Sequence, residues 1–278
     1  MTGRGQRSRI YACLVALVAA GCCLCAGTTR AGDDYPGWHE DRIPDGPLGA
    51  AIELGRRIVT RTPENAPAYA GSALNCTSCH LDSGRTPWAA PWVGIWGMFP
   101  EYRSRNAKVN ALPDRINDCF ERSLNGRPLP PGSREMIGIL AYMQWLSREV
   151  PTGQSVAGRG FLRIKSTQPP DPARGARIYA QKCALCHGEA GQGINAPSGD
   201  MVYPPLWGPK SFNIGAGMAR LNTAAAFAKA NMPLGQGGSL SDQDAFDVAA
   251  FFIRQPRPDF GRKSEDWPKG GKPEDARY

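Results

Sequence analysis

Four stretches of the chain carry apolar residues at the spacing of a helix face. In "SDQDAFDVAAFFIRQP" (241–256), Phe246, Ala249, Ala250 and Ile253 form the stripe. Ser241 stands at the N-cap, Asp244 follows three residues on, and Pro256 closes the segment, so the pattern predicts a capped helix. The stretch "DPARGARIYAQKCALCH" (171–187) predicts another, with Asp171 as N-cap and Pro172 at the first helical position. Gly175 and Tyr179 share a face there, and the glycine admits close crossing by a partner helix, which we assign to 241–256. The first half repeats the plan. "GPLGAAIELGRRIVTRT" (46–62) is the leading helix, and "SREMIGILAYMQWLSRE" (133–149) closes it with Met136, Ile139, Leu140, Met143 and Leu146 at helical spacing. No long run alternates with the period of a strand. The expected fold is mostly α.

Ahead of these helices the pattern is different. Arg4, Arg7 and Arg9 precede the apolar run "IYACLVALVAAGCCLCAG", and Thr29-Arg30-Ala31 offers a small-residue cleavage site. This reads as a secretory signal peptide over residues 1–31 and places the mature protein in the periplasm. An uncleaved anchor and a lipoprotein acylated at Cys22 are the alternatives. Further on, the Gly- and Pro-rich stretch 151–170 has no helical period and reads as a linker. The expected organisation is a first domain over 32–150, the linker, a second domain over 171–256, and an extended or loosely ordered tail over 257–278. No later segment is apolar for long enough to span a bilayer. The chain has a formal charge of +8, which falls to +4 once the leader removes Arg4, Arg7, Arg9 and Arg30. That charge is too weak and too scattered for nucleic acid.

Cysteine usage changes the picture most. Of nine cysteines, Cys13, Cys22, Cys23 and Cys25 leave with the leader. Four of the remaining five form "CTSCH" (Cys76, Cys79, His80) and "CALCH" (Cys183, Cys186, His187). In C-x-x-C-H, two thioethers tie a haem to the chain and the adjacent histidine becomes the proximal iron ligand. Zinc would need four ligands per ion from a chain with three histidines. Two covalently bound c-type haems, one in each of two tandem cytochrome c-type domains, are therefore expected.

Each iron then needs a sixth ligand or an open position. His39, in "GWHED", is the one histidine left, and its polar, turn-rich setting suits a surface residue. For the second haem the candidates are Met201, Met218 and Met232. Met232 lies in a Pro/Gly-rich loop before the last helix, where a distal loop would approach the iron, giving His/Met ligation. For the first haem they are Met98, Met136, Met143 and Cys119. Met136 and Met143 belong to a helix stripe, whereas Cys119 follows His80 at nearly the offset at which Met232 follows His187. The analogy points to Cys119 and His/Cys ligation. Arginines flank this lone thiol in "RINDCFERSLNG" (115–126), a setting that suits a thiolate. A buried, inert thiol is the alternative.

With "FPEYRSR", "NCTSCHL", "NMPLGQG" and above all "RINDCFERSLNG", the sequence resembles the periplasmic dihaem thiosulfate dehydrogenases. The resemblance covers most of the mature chain. It implies coupling of two thiosulfates to tetrathionate with release of two electrons, in some members reversibly. It places the essential distal cysteine at Cys119, active-site arginines at Arg105 and Arg115, a serine at Ser123, and the second distal methionine at Met232. Some members carry a lysine directly before that methionine and exchange the two as ligands. Here Asn231 holds the position and Lys229 lies further back, so a permanent His/Met second haem is expected. Arginine forks suit the sulfonate end of thiosulfate, with the Ser123 hydroxyl as an added donor, and a cysteine sulfur suits its soft end. Arg122 is expected to be the surface residue of this cluster. The expected partners are thiosulfate or tetrathionate and an electron-accepting protein, another cytochrome c or similar. The competing readings are a dihaem electron carrier without substrate and a haem subunit of a multi-protein thiosulfate-oxidising system.

Overall fold

The computed structural model describes residues 43–278. The signal segment and His39 lie outside the described residues. In the first half, α1 (Pro47–Thr60) crosses α5 (Arg134–Ser147). Ile52, Ile58 and Val59 of α1 meet Met136, Ile139, Tyr142 and Leu146 of α5 in a buried core. The crossing is close because two glycines face each other: a Cβ on Gly55 would stand 2.0 Å from the Gly138 carbonyl oxygen. Between these helices the chain forms the single turns α2 (Thr62–Asn65) and α3 (Leu81–Gly84), the antiparallel hairpin β1 (Glu101–Arg103) and β2 (Lys108–Asn110), and α4 (Leu112–Asp118).

The second half has the same logic. α6 (Pro172–Lys182) runs into the one-turn α7 (Ala184–His187), followed by the short hairpin β3 (Ile194–Asn195) and β4 (Met201–Tyr203), then α8 (Leu221–Asn231) and α9 (Asp242–Ile253). The expected caps form. The Asp171 carboxylate accepts from the Ala173 and Arg174 N–H groups at 2.8 and 3.2 Å, and the Ser241 hydroxyl accepts from Asp244 N–H at 3.0 Å. α6 crosses α9 at Gly175, where a Cβ would lie 2.0 Å from the Asp247 carbonyl oxygen. Phe246, Ala249, Ala250 and Ile253 are all buried. Because a methyl group at either crossing meets backbone that cannot swing away, Gly55→Ala or Gly175→Ala should each cost about 3 kcal/mol of stability. Chemical denaturation of the holoprotein checks this, and an unchanged midpoint would contradict the crossing.

The 151–170 stretch has no helix and is pinned to both halves. Trp88 N–H donates to the Gly158 carbonyl at 2.7 Å and Ala90 N–H to that of Gly160 at 2.8 Å, while Gln243 of α9 accepts from Thr167 and Gln168 N–H. No helix among the described residues is long and apolar enough to cross a membrane.

Two expectations need correction. The tail is not loosely ordered: Phe260 and Trp267 are buried, Asp275 pairs with Arg220 at 2.8 Å, and the Asp266 carboxylate is nearly inaccessible. Nor is Arg122 a surface residue. Its side chain is 8% exposed, lies 4.1 Å over the Phe260 ring, and donates twice to Asp266 at 2.8 Å. Burial works against the Arg122 charge, but hydrogen bonding and pairing with Asp266 outweigh it and raise the group above an ordinary arginine. Arg122 and Asp266 are buried as a pair, which composition does not reveal.

Candidate active site

The first motif opens with a tight turn, Cys76–Ser78, with Cys79 at its C-cap. Asn75 anchors it by accepting from Thr62 N–H at 2.7 Å, and the Thr62 hydroxyl accepts from Cys76 N–H at 3.1 Å. His80 follows with Nδ1 2.7 Å from the Ala90 carbonyl oxygen. A carbonyl only accepts, so Nδ1 carries the proton and Nε2 keeps its lone pair for a metal. Burial pushes His80 down to about 4 despite that hydrogen bond, so the ring is neutral. Trp92 lies 4.7 Å from the imidazole, centroid to centroid, and holds its plane.

The second motif has the same construction. His187 Nδ1 sits 2.8 Å from the Pro204 carbonyl oxygen, and burial lowers this imidazole too. Tyr179 of α6 donates to the Gly188 carbonyl at 2.6 Å, tying the helix to the motif. Cys183, Cys186, His187 and Met232 border a largely apolar cavity of about 330 Å³, within the range of cofactor sites. Two thiols, an imidazole with a free Nε2, a thioether and apolar walls fit a covalently held haem. Met201 and Met218 also border this cavity, but both pack against the first-half core as well. Met232 follows directly on the last residue of α8. The Lys229 ammonium is turned to the loop, donating to the Leu240 and Gly238 carbonyls at 2.5 and 3.2 Å. Asn231 is buried, donating to the Phe227 carbonyl at 3.2 Å.

Around the first motif a narrower cavity, about 50 Å³, is bordered by Cys76, Cys79, His80, Cys119, Ser123 and Met143. The donor set rather than the volume identifies it as the first haem site. Met98 and Met136 do not border it. Leu74, Asn75 and Cys79 border both cavities, so one short loop adjoins the two sites.

The segment carrying Cys119 shows why so few residues do so much. α4 continues into a π-helical turn, Cys119–Ser123, closed by Leu124 N–H donating to the Cys119 carbonyl at 2.9 Å. Such turns are rare and recur at functional sites. Residues four apart share a face. Ile116, Phe120 and Leu124 form one stripe, buried in the core. Arg115, Cys119 and Ser123 form the next, and Arg115 donates to Cys119 Sγ at 2.9 Å. Asp118 and Arg122 form a third, 3.6 Å apart, directed to the tail. Asn213, from the second half and 1% exposed, donates to the Glu121 carbonyl at 2.9 Å through its side chain and to the Arg122 carbonyl at 3.1 Å through its backbone. These are carbonyls that the wide turn releases.

The structure thus gathers Arg115, Cys119 and Ser123 at the first motif. Arg105 is placed differently: it donates to the Gly215 carbonyl at 2.6 Å and lies 4.9 Å over the Trp267 ring. The sequence reading missed Asn213, Asp266 and Trp267. The four-residue spacing of Asp118 and Arg122 was the available signal for a third, buried face.

Two histidines with matching tautomers, each beside a cysteine pair in its own helical core, define a c-type cytochrome with two covalent haem sites in tandem. Residues 68–152 match the SoxA/TsdA cytochrome c domain family, and residues 170–252 match the cytochrome c oxidase, cbb3-type, subunit III family. The chain is 47% identical to a thiosulfate dehydrogenase of Psychrobacter arcticus, covering 86% of this chain and 73% of that protein. It is 46% identical to one of Allochromatium vinosum, covering 81% and 84%. The solved thiosulfate dehydrogenase TsdBA of Marichromatium purpuratum superposes with a TM-score of 0.79 at 38% identity, covering 82% of this chain and half of that one. The chain belongs to the thiosulfate dehydrogenase family.

Proposed function

We propose that this protein oxidises two thiosulfates to tetrathionate and passes two electrons through its two c-type haems to an external protein acceptor, such as another cytochrome c. The observation that carries the reading is Cys119. Its sulfur borders the same cavity as Cys76, Cys79 and His80, with the Arg115 guanidinium 2.9 Å away. A pure electron carrier has no use for a thiol with a half-buried arginine donating to it at that place.

His80 and Cys119 are the ligands we assign to the first haem, His187 and Met232 those of the second. When bound, each haem supplies a one-electron acceptor, and thioether ligation gives the second the higher potential. The chain's own residues do the rest. Arg115 donates to the Cys119 sulfur and orients it. Arg105 and Ser123 bind the sulfonate oxygens of thiosulfate. The Cys119 thiolate and the outer sulfur of one thiosulfate join in an S–S bond as two electrons leave. The outer sulfur of a second thiosulfate then attacks the thiosulfate-derived sulfur of that adduct. Tetrathionate is released and the Cys119 thiolate returns. Run backwards, the same steps reduce tetrathionate. The substrate half is the domain 32–150 and the electron-exit half 171–256, joined by 151–170, in a periplasmic protein exported by its 1–31 signal.

Steady-state assay of the purified holoprotein in both directions tests this. Two thiosulfates consumed per tetrathionate formed is the expected result, and reduction of acceptor without tetrathionate would exclude it. Since the Lys229 ammonium is already held by two carbonyls, Lys229→Ala should leave the second-haem spectrum unchanged through a redox cycle. Met232→Ala should lower that haem's potential. A Lys229-dependent spectrum in potentiometric titration would contradict fixed His/Met ligation.

A further inference from the structure

A buried charge network joins the tail to the Cys119 turn. Asp266, with its side chain 2% exposed, accepts from Arg122 twice at 2.8 Å and from the Tyr278 hydroxyl. Arg105 Nε stands 3.8 Å from the same carboxylate. The next residue, Trp267, donates its N–H to the Arg105 carbonyl at 2.6 Å and lays its ring against the Arg105 guanidinium. Arg262 of the tail reaches Glu121 of the turn at 2.5 Å. One carboxylate therefore contacts two arginines that come from different segments of the chain. Arg105 approaches from the segment after β1, and Arg122 belongs to the turn that carries Cys119 and Ser123. A bidentate carboxylate–guanidinium pair fixes direction as well as distance, and a buried one leaves an uncompensated charge when broken. A network serving only to fasten the tail would not need to include Arg105.

We propose that Asp266 is a positioning residue for the substrate site: it aims Arg105 and, through Arg122, sets the placement of the turn bearing Cys119. This rests on the functional reading above. Asp266→Asn keeps the shape but removes the charge, and Tyr278→Phe removes one hydrogen bond to the carboxylate. In the Asp266→Asn holoprotein, the KM for thiosulfate should rise about tenfold, more than kcat falls. The ferric spectrum of the first haem should shift or split, with haem content and the second-haem spectrum as in the parent. Tyr278→Phe should move both readouts in the same direction by less, and it decides the matter should Asp266→Asn not fold. Parent-like KM and first-haem spectra in the variants overturn the proposal, including when stability alone falls. Failure of the functional reading looks different: the parent itself has no thiosulfate turnover, and the first-haem spectrum of the variants still decides the role of Asp266.

Discussion

Cys119→Ser holoprotein should keep both haems and lose thiosulfate oxidation by about a thousandfold or more, the scale expected when a nucleophile is removed. Serine fits the space, so the buried stripe of Ile116, Phe120 and Leu124 beside it is undisturbed. Its oxygen cannot form the S–S bond that holds the first thiosulfate. It also offers Arg115 a neutral hydroxyl where the thiolate stood. We assign covalent attachment to Cys76, Cys79, Cys183 and Cys186, so haem content should not change. Turnover with an artificial electron acceptor, alongside haem quantification, checks both halves. Near-parent activity would remove Cys119 from the chemistry.

Arg115→Ala comes next in size. The guanidinium donates to Cys119 Sγ at 2.9 Å, and the negative charge it faces on Cys119, outweighing burial, holds it above an ordinary arginine. Removing the guanidinium takes away the donor that stands at the Cys119 sulfur. A fall in kcat/KM of about a hundredfold is expected, the scale of losing one charged donor at a buried reacting atom. The first-haem spectrum should change with it and the second should not. Arg115→Lys should recover part of the loss, because a lysine restores the charge but not the planar fork. If alanine and the parent share kcat/KM, Arg115 is only packing.

Much of this was legible in the chain. Both glycine crossings follow one plan, yet only Gly175 was read as one. Gly138, opposite Gly55, lies inside a helix where a glycine only weakens the pattern. α8 was not legible because four of its six buried residues are Ala224, Ala225, Ala226 and Ala228, too neutral to produce contrast. The haem motifs could be read because covalent attachment demands a fixed local spacing. Counting and offset signalled that Cys119 stands at the same cavity as His80. The tail could not. Asp266 acquires its meaning from Arg122, 144 residues earlier, and no local pattern marks a pairing made across that separation. Arg122 was misplaced for the same reason, as arginine is ordinarily solvent-facing and its burial depends on a distant partner.

The central claim is that Cys119 caps the first iron, and electron paramagnetic resonance of the ferric holoprotein tests it most directly. The account predicts one low-spin haem with thiolate ligation and one with histidine–methionine ligation, the first signal disappearing in Cys119→Ser and the second persisting. Two histidine–methionine signals, unchanged by Cys119→Ser, would contradict it.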